Sequence, residues 1–337
     1  MDNIAINAQG LSKWYGTLQA VKNVSFEINK GSSFGLLGLN GAGKTTIFKI
    51  LVSLIRPDSG TAVVAGYDVV REPMKVRSHI GYVAENPAFY TRMTTLETMR
   101  YICRLQDVPV HDELIRINSA LELVGLMDKR NELVGGYSRG MRHRLGLAQA
   151  LLSEPQILFL DEPTLGLDPL GARKMRELIL RLRQEREVTV LMSSHVLPEM
   201  EAICDRVGIF DHGRLVAMDT IHNLRSTASD SINLEIVMTG PNEGVVQALQ
   251  QIPGVNAVEI QGSKLYINTI KNDELRSRLL LEALQNNAQI LSFGTRENSL
   301  EDILLRLVAV DMSDQPDQKP HLSLRSIPAW LRNKTGL

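Results

Sequence analysis

Nine consecutive residues, Gly38 to Thr46, carry the strongest chemical signal in the sequence. They read Gly-Leu-Asn-Gly-Ala-Gly-Lys-Thr-Thr and match the phosphate-binding pattern Gly-x-x-x-x-Gly-Lys-Ser/Thr of a P-loop. In such a loop the glycines let successive backbone N–H groups point at one polyphosphate, and the N-terminus of the following helix adds partial positive charge. Lys44 is then expected to neutralise the β- and γ-phosphates, and Thr45 to bind Mg²⁺.

The residues on either side of this loop have the pattern that its chemistry requires. Phe34 to Leu37 is an apolar run, which predicts a buried strand, and Thr45 to Leu51 has the composition of a helix. A glycine-rich turn that matches by chance is the alternative, but strand, loop and helix follow each other here in the order of a true P-loop. The segment therefore predicts binding of a nucleoside triphosphate together with Mg²⁺.

Two adjacent carboxylates follow another apolar run. Ile157 to Leu160 predicts a buried parallel strand, and Asp161 and Glu162 come directly after it. Ligands bind at the carboxyl edge of such sheets, so Asp161 is expected to support Mg²⁺ in the Walker B arrangement. Glu162 is expected to orient or deprotonate a water that attacks the γ-phosphate. The alternative is that two acidic residues merely open a loop.

A histidine and a tyrosine complete the candidate site. His195 ends a third apolar strand, Thr189 to Ser194, and this position favours a phosphate contact over the structural role that a lone histidine more often has. Tyr15 lies just before Gly16, where a flat ring could stack on an adenine; a surface or core tyrosine is the alternative.

The elements that hold these groups follow from the hydrophobic periodicity. Residues 23–29 alternate apolar and polar and predict a strand of an antiparallel region, while 206–211 and 214–219 predict a hairpin that closes the sheet. Helices are predicted near 96–106 and 112–125. A helical insert therefore separates two parts of the sheet, and the fold class is α/β.

The composition changes near residue 230. From Ser231 onward, strands and helices are predicted in the order β-α-β-β-α-β, and this suggests a small α+β ferredoxin-like module. A last helix at 300–309 would be capped by Ser299 and Asp302. The module has no cluster of catalytic side chains, so dimerisation or regulation is favoured over binding of cargo. The proline-containing polar stretch 311–337 is typical of a disordered tail, although its aromatic and basic residues could dock on a partner.

Composition excludes several other classes of protein. The 337 residues suggest about two domains, and the formal net charge of −1 gives no general attraction to nucleic acid, so no nucleic-acid partner is predicted. The N-terminus lacks a signal-peptide pattern, and no apolar run approaches the roughly 20 residues that span a bilayer. Cys103 and Cys204 lack metal-site or disulfide spacing and are expected to be buried, reduced thiols of a cytosolic protein.

Over about residues 4–225 these motifs resemble the nucleotide-binding domains of ABC transporters, and within them the ATPase subunits that pair with ABC-2 type exporter permeases. By this resemblance the site residues are Tyr15 (adenine stacking), Gly38, Asn40, Gly41, Ala42, Gly43, Lys44, Thr45 and Thr46 (Walker A), Glu85 (Q-loop), Ser138, Arg139, Gly140 and Met141 (signature), Asp161 and Glu162 (Walker B and catalytic carboxylate), Asp168 (D-loop) and His195 (switch histidine). The metal ligands would be Thr45, Glu85 and Asp161.

Two positions depart from the usual family pattern. The Q-loop residue is usually Gln, and Glu85 stands here, which resembles the drug and antibiotic exporter branch. The signature is usually Leu-Ser-Gly-Gly-Gln, of which only Ser138 and Gly140 remain. Ser138 is expected to lie at a helix N-terminus and to donate to a γ-phosphate, and Gly140 to allow close backbone approach.

The resemblance implies an ATPase domain at 1–228, with a helical subdomain at about 86–150, followed by an accessory domain at 229–310 and a tail at 311–337. It implies ATP and Mg²⁺ as cofactors, and a second ATPase subunit, identical or a paralogue, whose signature caps the ATP of this chain. It also implies a separate ABC-2 type transmembrane permease that holds the protein at the cytoplasmic face of the membrane. Residues 86–93, with Phe89 and Tyr90, are candidates for docking to that permease; the alternative is that these aromatic side chains pack locally.

Two rival interpretations stay open. A non-transport soluble ABC ATPase would be a translation factor, which usually carries two ATPase domains on one chain, or a DNA-repair protein with a long coiled-coil insertion; neither pattern occurs here. A regulator that switches without turnover is opposed by Glu162 and His195.

Overall fold

The computed structural model describes residues 3–223, 231–240, 243–270 and 272–296. Within these residues the strands are β1 (Ile4–Tyr15), β2 (Leu18–Asn29), β3 (Ser33–Gly38), β4 (Ser59–Val64), β5 (Tyr67–Asp68), β6 (Ile80–Val83), β7 (Ile157–Asp161), β8 (Thr189–Ser194), β9 (Arg206–Asp211), β10 (Arg214–Thr220), β11 (Ser231–Met238), β12 (Val255–Gln261), β13 (Lys264–Ile270) and β14 (Ile290–Arg296). The α-helices are α1 (Lys44–Leu51), α2 (Pro73–His79), α3 (Thr95–Leu105), α4 (Val110–Leu123), α5 (Arg139–Ala150), α6 (Pro169–Arg186), α7 (Leu197–Ile203), α8 (Glu243–Gln250) and α9 (Asp273–Gln285).

A six-stranded sheet in the order β10-β9-β3-β8-β7-β6 forms the centre of the nucleotide-binding part. All neighbouring pairs are parallel except the hairpin β9-β10, which lies at one edge. Every residue of β3, β7 and β8 is buried, as expected for parallel strands covered on both faces. The apolar runs thus formed the predicted strands, and their carboxyl ends meet at one edge of the sheet.

A second sheet, β2-β1-β4-β5, is antiparallel, as residues 23–29 predicted. The sequence analysis did not predict β1. The pairing of β1 with β2 shifts register between Ala8 and Leu11, where Gly10 has a φ of 60°. Such a bulge interrupts the alternation of apolar and polar residues by which a half-buried strand is recognised.

The predicted helical insert lies between β6 and β7, which pair in parallel although the insert separates them in sequence. Helix α3 begins at a capping box in which Thr94 accepts from the Glu97 backbone N–H and the Glu97 carboxylate accepts from the Thr94 N–H. Helix α4 begins after Pro109, two residues earlier than predicted. Helix α5 begins after Ser138, whose hydroxyl accepts from the Met141 N–H.

The C-terminal strands form a separate antiparallel sheet in the order β12-β13-β11-β14. With α8 and α9 this is the β-α-β-β-α-β ferredoxin-like arrangement that the sequence predicted. Its buried apolar residues, from Leu234 to Ala288, form a cluster of their own. The predicted helix at 300–309 and the tail at 311–337 lie outside the described residues, and the domain boundaries at 228 and 310 stay predictions.

Both cysteines are buried free thiols, as predicted. Burial raises the pKa of Cys103 to about 11 and that of Cys204 still further, so neither side chain has the reactive thiolate character of a catalytic cysteine. In the part of the chain that the structure describes, no helix combines the length and the apolar character needed to cross a membrane.

Candidate functional site

The P-loop connects the buried strand β3 to helix α1, and two of its glycines have no room for a side chain. A Cβ on Gly38 would collide with the carbonyl oxygen of Phe210 on β9. A Cβ on Gly43 would collide with the carbonyl oxygen of Ala20 on β2, and the φ of Gly43 is 101°, which side chains disfavour. The loop is therefore closely packed between β9 and β2, and its last N–H groups lie at the start of α1.

Lys44 is the first residue of α1, and its side chain is only 6% exposed. Its ammonium donates to the carbonyl oxygens of Gly38 at 2.6 Å and Leu39 at 3.2 Å. Burial lowers the pKa of Lys44, and the attraction of Glu162 and Asp161 opposes this effect. The side chain of Lys44 is thus held along the loop, at the position where a polyphosphate would lie.

Asp161 is the last residue of β7 and lies directly beside Ser193 of β8 in the sheet register. The Ser193 hydroxyl donates to Asp161 Oδ1 at 2.6 Å, and both residues are nearly inaccessible to solvent. Burial raises the pKa of Asp161, while the hydrogen bond from Ser193 lowers it. Ser193 therefore stabilises the ionised form of a buried carboxylate.

Glu162 follows immediately and adopts a left-handed backbone conformation with φ 49°. Its N–H donates to both the carbonyl and the hydroxyl oxygen of Ser193, at 3.2 and 3.1 Å. Its carboxylate accepts a hydrogen bond from Nδ1 of His195 at 2.9 Å and lies 3.7 Å from the Lys44 ammonium. The side chain of His195 is 36% exposed, so its other ring nitrogen is available to a ligand.

Oxygen ligands suitable for Mg²⁺ lie at the same edge. The hydroxyl of Thr45 hydrogen-bonds to Asp161, and the Glu85 carboxylate is near enough to Asp161 and Lys44 to act on both pKa values. Hydroxyl and carboxylate oxygens are the hard donors that Mg²⁺ prefers, with phosphate and water completing its shell. Among the described residues no three His, Cys, Asp or Glu form a metal-binding group.

Tyr15 ends β1 at the tight turn that leads to β2, and its side chain is 47% exposed. On β2, Ala20 packs against Gly43 of the P-loop, so the hairpin that carries Tyr15 lies next to the loop. An exposed ring beside the phosphate site is compatible with the predicted stacking on adenine.

The signature residues lie elsewhere in the same chain. Ser138 caps α5, and in the described residues no hydrogen bond or ion pair joins Ser138, Arg139, Gly140 or Met141 to the P-loop. The guanidinium of Arg139 covers Gly166, and Asp168 caps α6 by accepting from the Gly171 N–H at 3.2 Å. Arg139 and Gly140 of the signature thus pack against Gly166 and Leu167, next to Asp168.

Three residues of this region were not predicted. Ser193 holds Asp161 and Glu162; the buried ring of His143 bonds to the carbonyl oxygen of Glu85; and the buried Glu199 accepts from Thr164, behind the D-loop. Ser193 has no sequence signal of its own, since its role depends on the parallel pairing of β7 with β8 that sets it beside Asp161. No sequence signal pointed to His143 or Glu199.

Comparisons with known proteins agree with this geometry. A profile of the ABC transporter family matches residues 21–165. The linearmycin resistance ATP-binding protein LnrL of Bacillus subtilis is 32% identical over 92% of this chain and 100% of LnrL. The chain belongs to the family of ABC transporter ATP-binding proteins. The bacitracin transport ATP-binding protein BcrA of Bacillus licheniformis is 34% identical over 90% of this ABC ATPase and 97% of BcrA.

Solved structures confirm the predicted fold class. An ATP-binding subunit of an ABC transporter has a TM-score of 0.60 at 28% identity, over 66% of this chain and 93% of that one. CbiO1 of Clostridium perfringens, with a TM-score of 0.62 at 23% identity over 75% of this chain and 97% of its own, has the same fold. The family thus confirms ATP as the nucleotide and ATP hydrolysis as the activity of this ABC ATPase. The individual residue roles remain predictions.

Proposed function

We propose that this chain is the ATP-hydrolysing subunit of an exporter whose translocation path is formed by a separate ABC-2 type permease. One observation carries the proposal: Lys44, Glu162 and His195 converge within a hydrogen-bonded group at the P-loop. A switch that binds nucleotide without turnover would not require a carboxylate held between an ammonium and an imidazole. Two relatives named for linearmycin resistance and bacitracin transport support an exporter of antibiotic-like compounds.

The proposed hydrolysis uses the residues at the sheet edge. Lys44 and the N–H groups at the start of α1 hold the β- and γ-phosphates. Glu162 orients and deprotonates the attacking water, and the Nδ1–H of His195 holds the Glu162 carboxylate in place. The free edge of the His195 ring then faces the γ-phosphate. Tyr15 stacks on the adenine, as the resemblance implies.

The donor set fits Mg²⁺, which Thr45, Asp161 and Glu85 would hold. The ion supplies charge neutralisation on the phosphate oxygens when bound. The contribution of the chain is the Ser193 hydroxyl, whose hydrogen bond favours the ionised form of Asp161 and opposes the burial that raises its pKa.

We further propose that the site is completed by a second ATPase subunit. Ser138 lies at the N-terminus of α5 and makes no hydrogen bond to the P-loop in the part of the chain that the structure describes. Its hydroxyl oxygen accepts from Met141, which leaves the hydroxyl proton free to donate. A partner subunit facing this surface would place its nucleotide against Ser138 and Gly140. Asp168, at the start of α6, would lie at the same subunit boundary.

The proposed permease contact lies after β6. Phe89 packs against the core of the helical insert, while Tyr90 is 61% exposed and stacks edge to face on Tyr101 of α3. Tyr90 and Tyr101 thus form an exposed aromatic pair next to the Glu85 loop. This arrangement supports docking of a permease there, at the cytoplasmic face of the membrane.

The direct test is the change Lys44→Ala. Loss of one preorganised phosphate donor is expected to lower ATP turnover by about 100-fold or more, on the order of 3 kcal/mol. Phosphate release by the full-length chain is the measurement. Lys49→Ala is the matched control, because Lys49 is an exposed lysine of the same helix and should leave turnover unchanged. Unchanged turnover in Lys44→Ala would exclude the P-loop assignment.

The change Glu162→Gln tests the proposed base. The variant is expected to bind ATP and dimerise, yet to hydrolyse ATP about 100-fold more slowly, since the amide cannot accept the proton of water. Light scattering with ATP and a phosphate-release assay measure the two properties. Turnover near that of the unmodified chain would place the general base elsewhere.

The permease itself is tested by gentle solubilisation and affinity capture of the chain from its own cells. The expected result is one copurifying membrane chain of the permease class. Recovery of no membrane chain would favour the non-transport ABC ATPase over the exporter.

A further inference from the structure

His143 lies at a position that the proposed ATPase mechanism does not use. It belongs to the first turns of α5, five residues after Ser138, and only 2% of its surface is exposed. The Nε2 atom lies 2.8 Å from the carbonyl oxygen of Glu85, and the Nδ1 atom lies 3.1 Å from the carbonyl oxygen of Arg139. A buried imidazole therefore spans the signature helix and the backbone of the Q-loop.

The two carbonyl oxygens differ in whether they accept a second hydrogen bond. The carbonyl of Arg139 lies in the first turn of α5 and also accepts the intrahelical bond from the His143 N–H. The carbonyl of Glu85 receives no other hydrogen bond from the residues that the structure describes. Because a carbonyl oxygen can only accept, the bond to Glu85 is made when Nε2 carries a proton and donates it.

The same face of α5 touches this segment at two further points. One turn along, a Cβ on Gly146 would lie 3.1 Å from Pro87, so the helix and the proline are in close contact. At the end of the helix, Ala150 packs on Gly81 of β6. Positions 143, 146 and 150 share one helix face. On this face of α5 the contacts at positions 146 and 150 are close packing contacts, whereas His143 makes a side-chain hydrogen bond.

We propose that His143 is a positioning residue that fixes the Glu85 backbone to the helix carrying the signature. The inference rests on the proposed function, in which Glu85 serves the nucleotide of its own chain while Ser138 and Gly140 serve that of the partner. His143 then couples the two sites through one subunit. A shift of Glu85 on nucleotide binding moves the start of α5, and with it the signature that the partner receives.

Three variants test this role in the full-length chain. His143→Leu removes both ring nitrogens at similar volume, and His143→Gln restores an amide N–H that can donate to Glu85. Leu147→Ala is the matched control, because Leu147 is buried in the same helix but makes no hydrogen bond to the Q-loop. Amide hydrogen exchange of residues 84–88, steady-state kcat, and the Kd of a fluorescent ATP analogue are measured for each.

For His143→Leu we expect faster exchange at 84–88 and a kcat lower by about tenfold or more, with the Kd within about threefold of the unmodified chain. His143→Gln should recover most of both losses. Leu147→Ala should lower the Tm through its cavity yet leave exchange at 84–88 and kcat close to normal.

Normal exchange at 84–88 or normal kcat in His143→Leu would overturn the inference. So would a Gln variant no better than Leu, or equal losses in Leu147→Ala. The proposed function fails separately: an unmodified chain without ATPase activity would contradict it, while the exchange experiment would still report whether His143 holds Glu85.

Discussion

At the scale of single residues, one serine organises the two carboxylates on which hydrolysis is proposed to depend. Ser193 donates its hydroxyl proton to Asp161, and its oxygen accepts from the N–H of Glu162. It therefore favours the ionised form of Asp161 and holds the backbone of Glu162. Such a residue contributes to turnover although its own atoms need not touch the nucleotide.

Replacing this serine, Ser193→Ala, is expected to lower kcat/KM by about tenfold, the effect of one lost hydrogen bond to a buried charged group. The bond lowers the pKa of Asp161, so its loss raises that pKa further. The acidic limb of the pH profile of kcat/KM should therefore move to higher pH, and the deficit should grow as the pH falls.

Ser194→Ala is the control for this change. Ser194 is equally buried on the same strand, but its hydroxyl accepts from the Val196 N–H and bonds to neither carboxylate. It should leave the acidic limb where it is. If the acidic limb of the pH profile moved equally in both variants, the cause would be a disturbance of β8 and not the loss of the hydrogen bond to Asp161.

Sequence reasoning placed Asp161, Glu162 and His195 at one sheet edge because each follows a recognisable apolar strand. It did not single out Ser193, since a serine inside a buried strand has no signal of its own. The role of Ser193 arises from the parallel register of β7 and β8, which pairs it with Asp161. Register between strands separated by a whole helix is a tertiary property.

At the scale of elements, capping motifs in the sequence mark where two helices begin. The pattern Thr94-x-x-Glu97 is a capping box, and it places the start of α3 one residue before the predicted position. Asp168 followed by Pro169 marks the start of α6 in the same way, yet α6 was not assigned from sequence. The irregular β1, in contrast, could not be recognised from periodicity, because its bulge reverses the buried face.

The capping box leads to a test of the helical insert. Thr94→Ala removes the acceptor of the Glu97 N–H and should lower the free energy of unfolding by about 1 kcal/mol. Denaturant titration of the full chain is the measurement, and Thr91→Ala, an exposed threonine outside the helix, is the control. Equal stability of the two variants would show that the cap contributes nothing to the insert.

The pH dependence of the same cap has a defined sign. Hydrogen bonds from the Thr94 N–H and hydroxyl lower the pKa of Glu97. The contribution is present above the unfolded pKa of Glu, about 4.3, and is lost as the pH falls through the lower folded value. Thr94→Ala keeps the backbone N–H and loses only the hydroxyl donor, so the difference in stability between this variant and the unmodified chain should shrink in acid by the hydroxyl part alone.

At the scale of the whole molecule, the C-terminal module has its own core. Among the residues that the structure describes, its buried cluster consists of residues between Leu234 and Ala288, and the two clusters of the ATPase part contain none of these. Composition and element order were enough to predict this module and its fold. Its role could not be predicted, because no catalytic group marks it, and we keep regulation or dimerisation as the hypothesis.

Because the two parts have separate buried clusters, deleting the C-terminal module tests whether the ATPase part folds and binds ATP without it. A chain that ends at residue 228 is expected to fold cooperatively and to bind ATP with a Kd within about threefold of the full chain, since the two buried clusters of the ATPase part contain none of the described residues beyond 228. Thermal unfolding and binding of a fluorescent ATP analogue are the measurements. Loss of ATP binding would show that the module supports the nucleotide site directly. If the shorter chain still dimerises with ATP, regulation is favoured as the role of the module; if it does not, dimerisation is favoured.

The position of β3 in the central sheet has a consequence for synthesis of the protein. Strand β3 leads into the P-loop, and its two neighbours are β8 and β9, in which Val190 and Arg206 pair with Ser33 and Phe34. A ribosome that has reached residue 165 has completed the whole segment matched by the family profile, but neither neighbour of β3 exists yet. More than a hundred residues after the P-loop must therefore be synthesised before β3 has both neighbours and the P-loop can adopt its nucleotide-binding conformation.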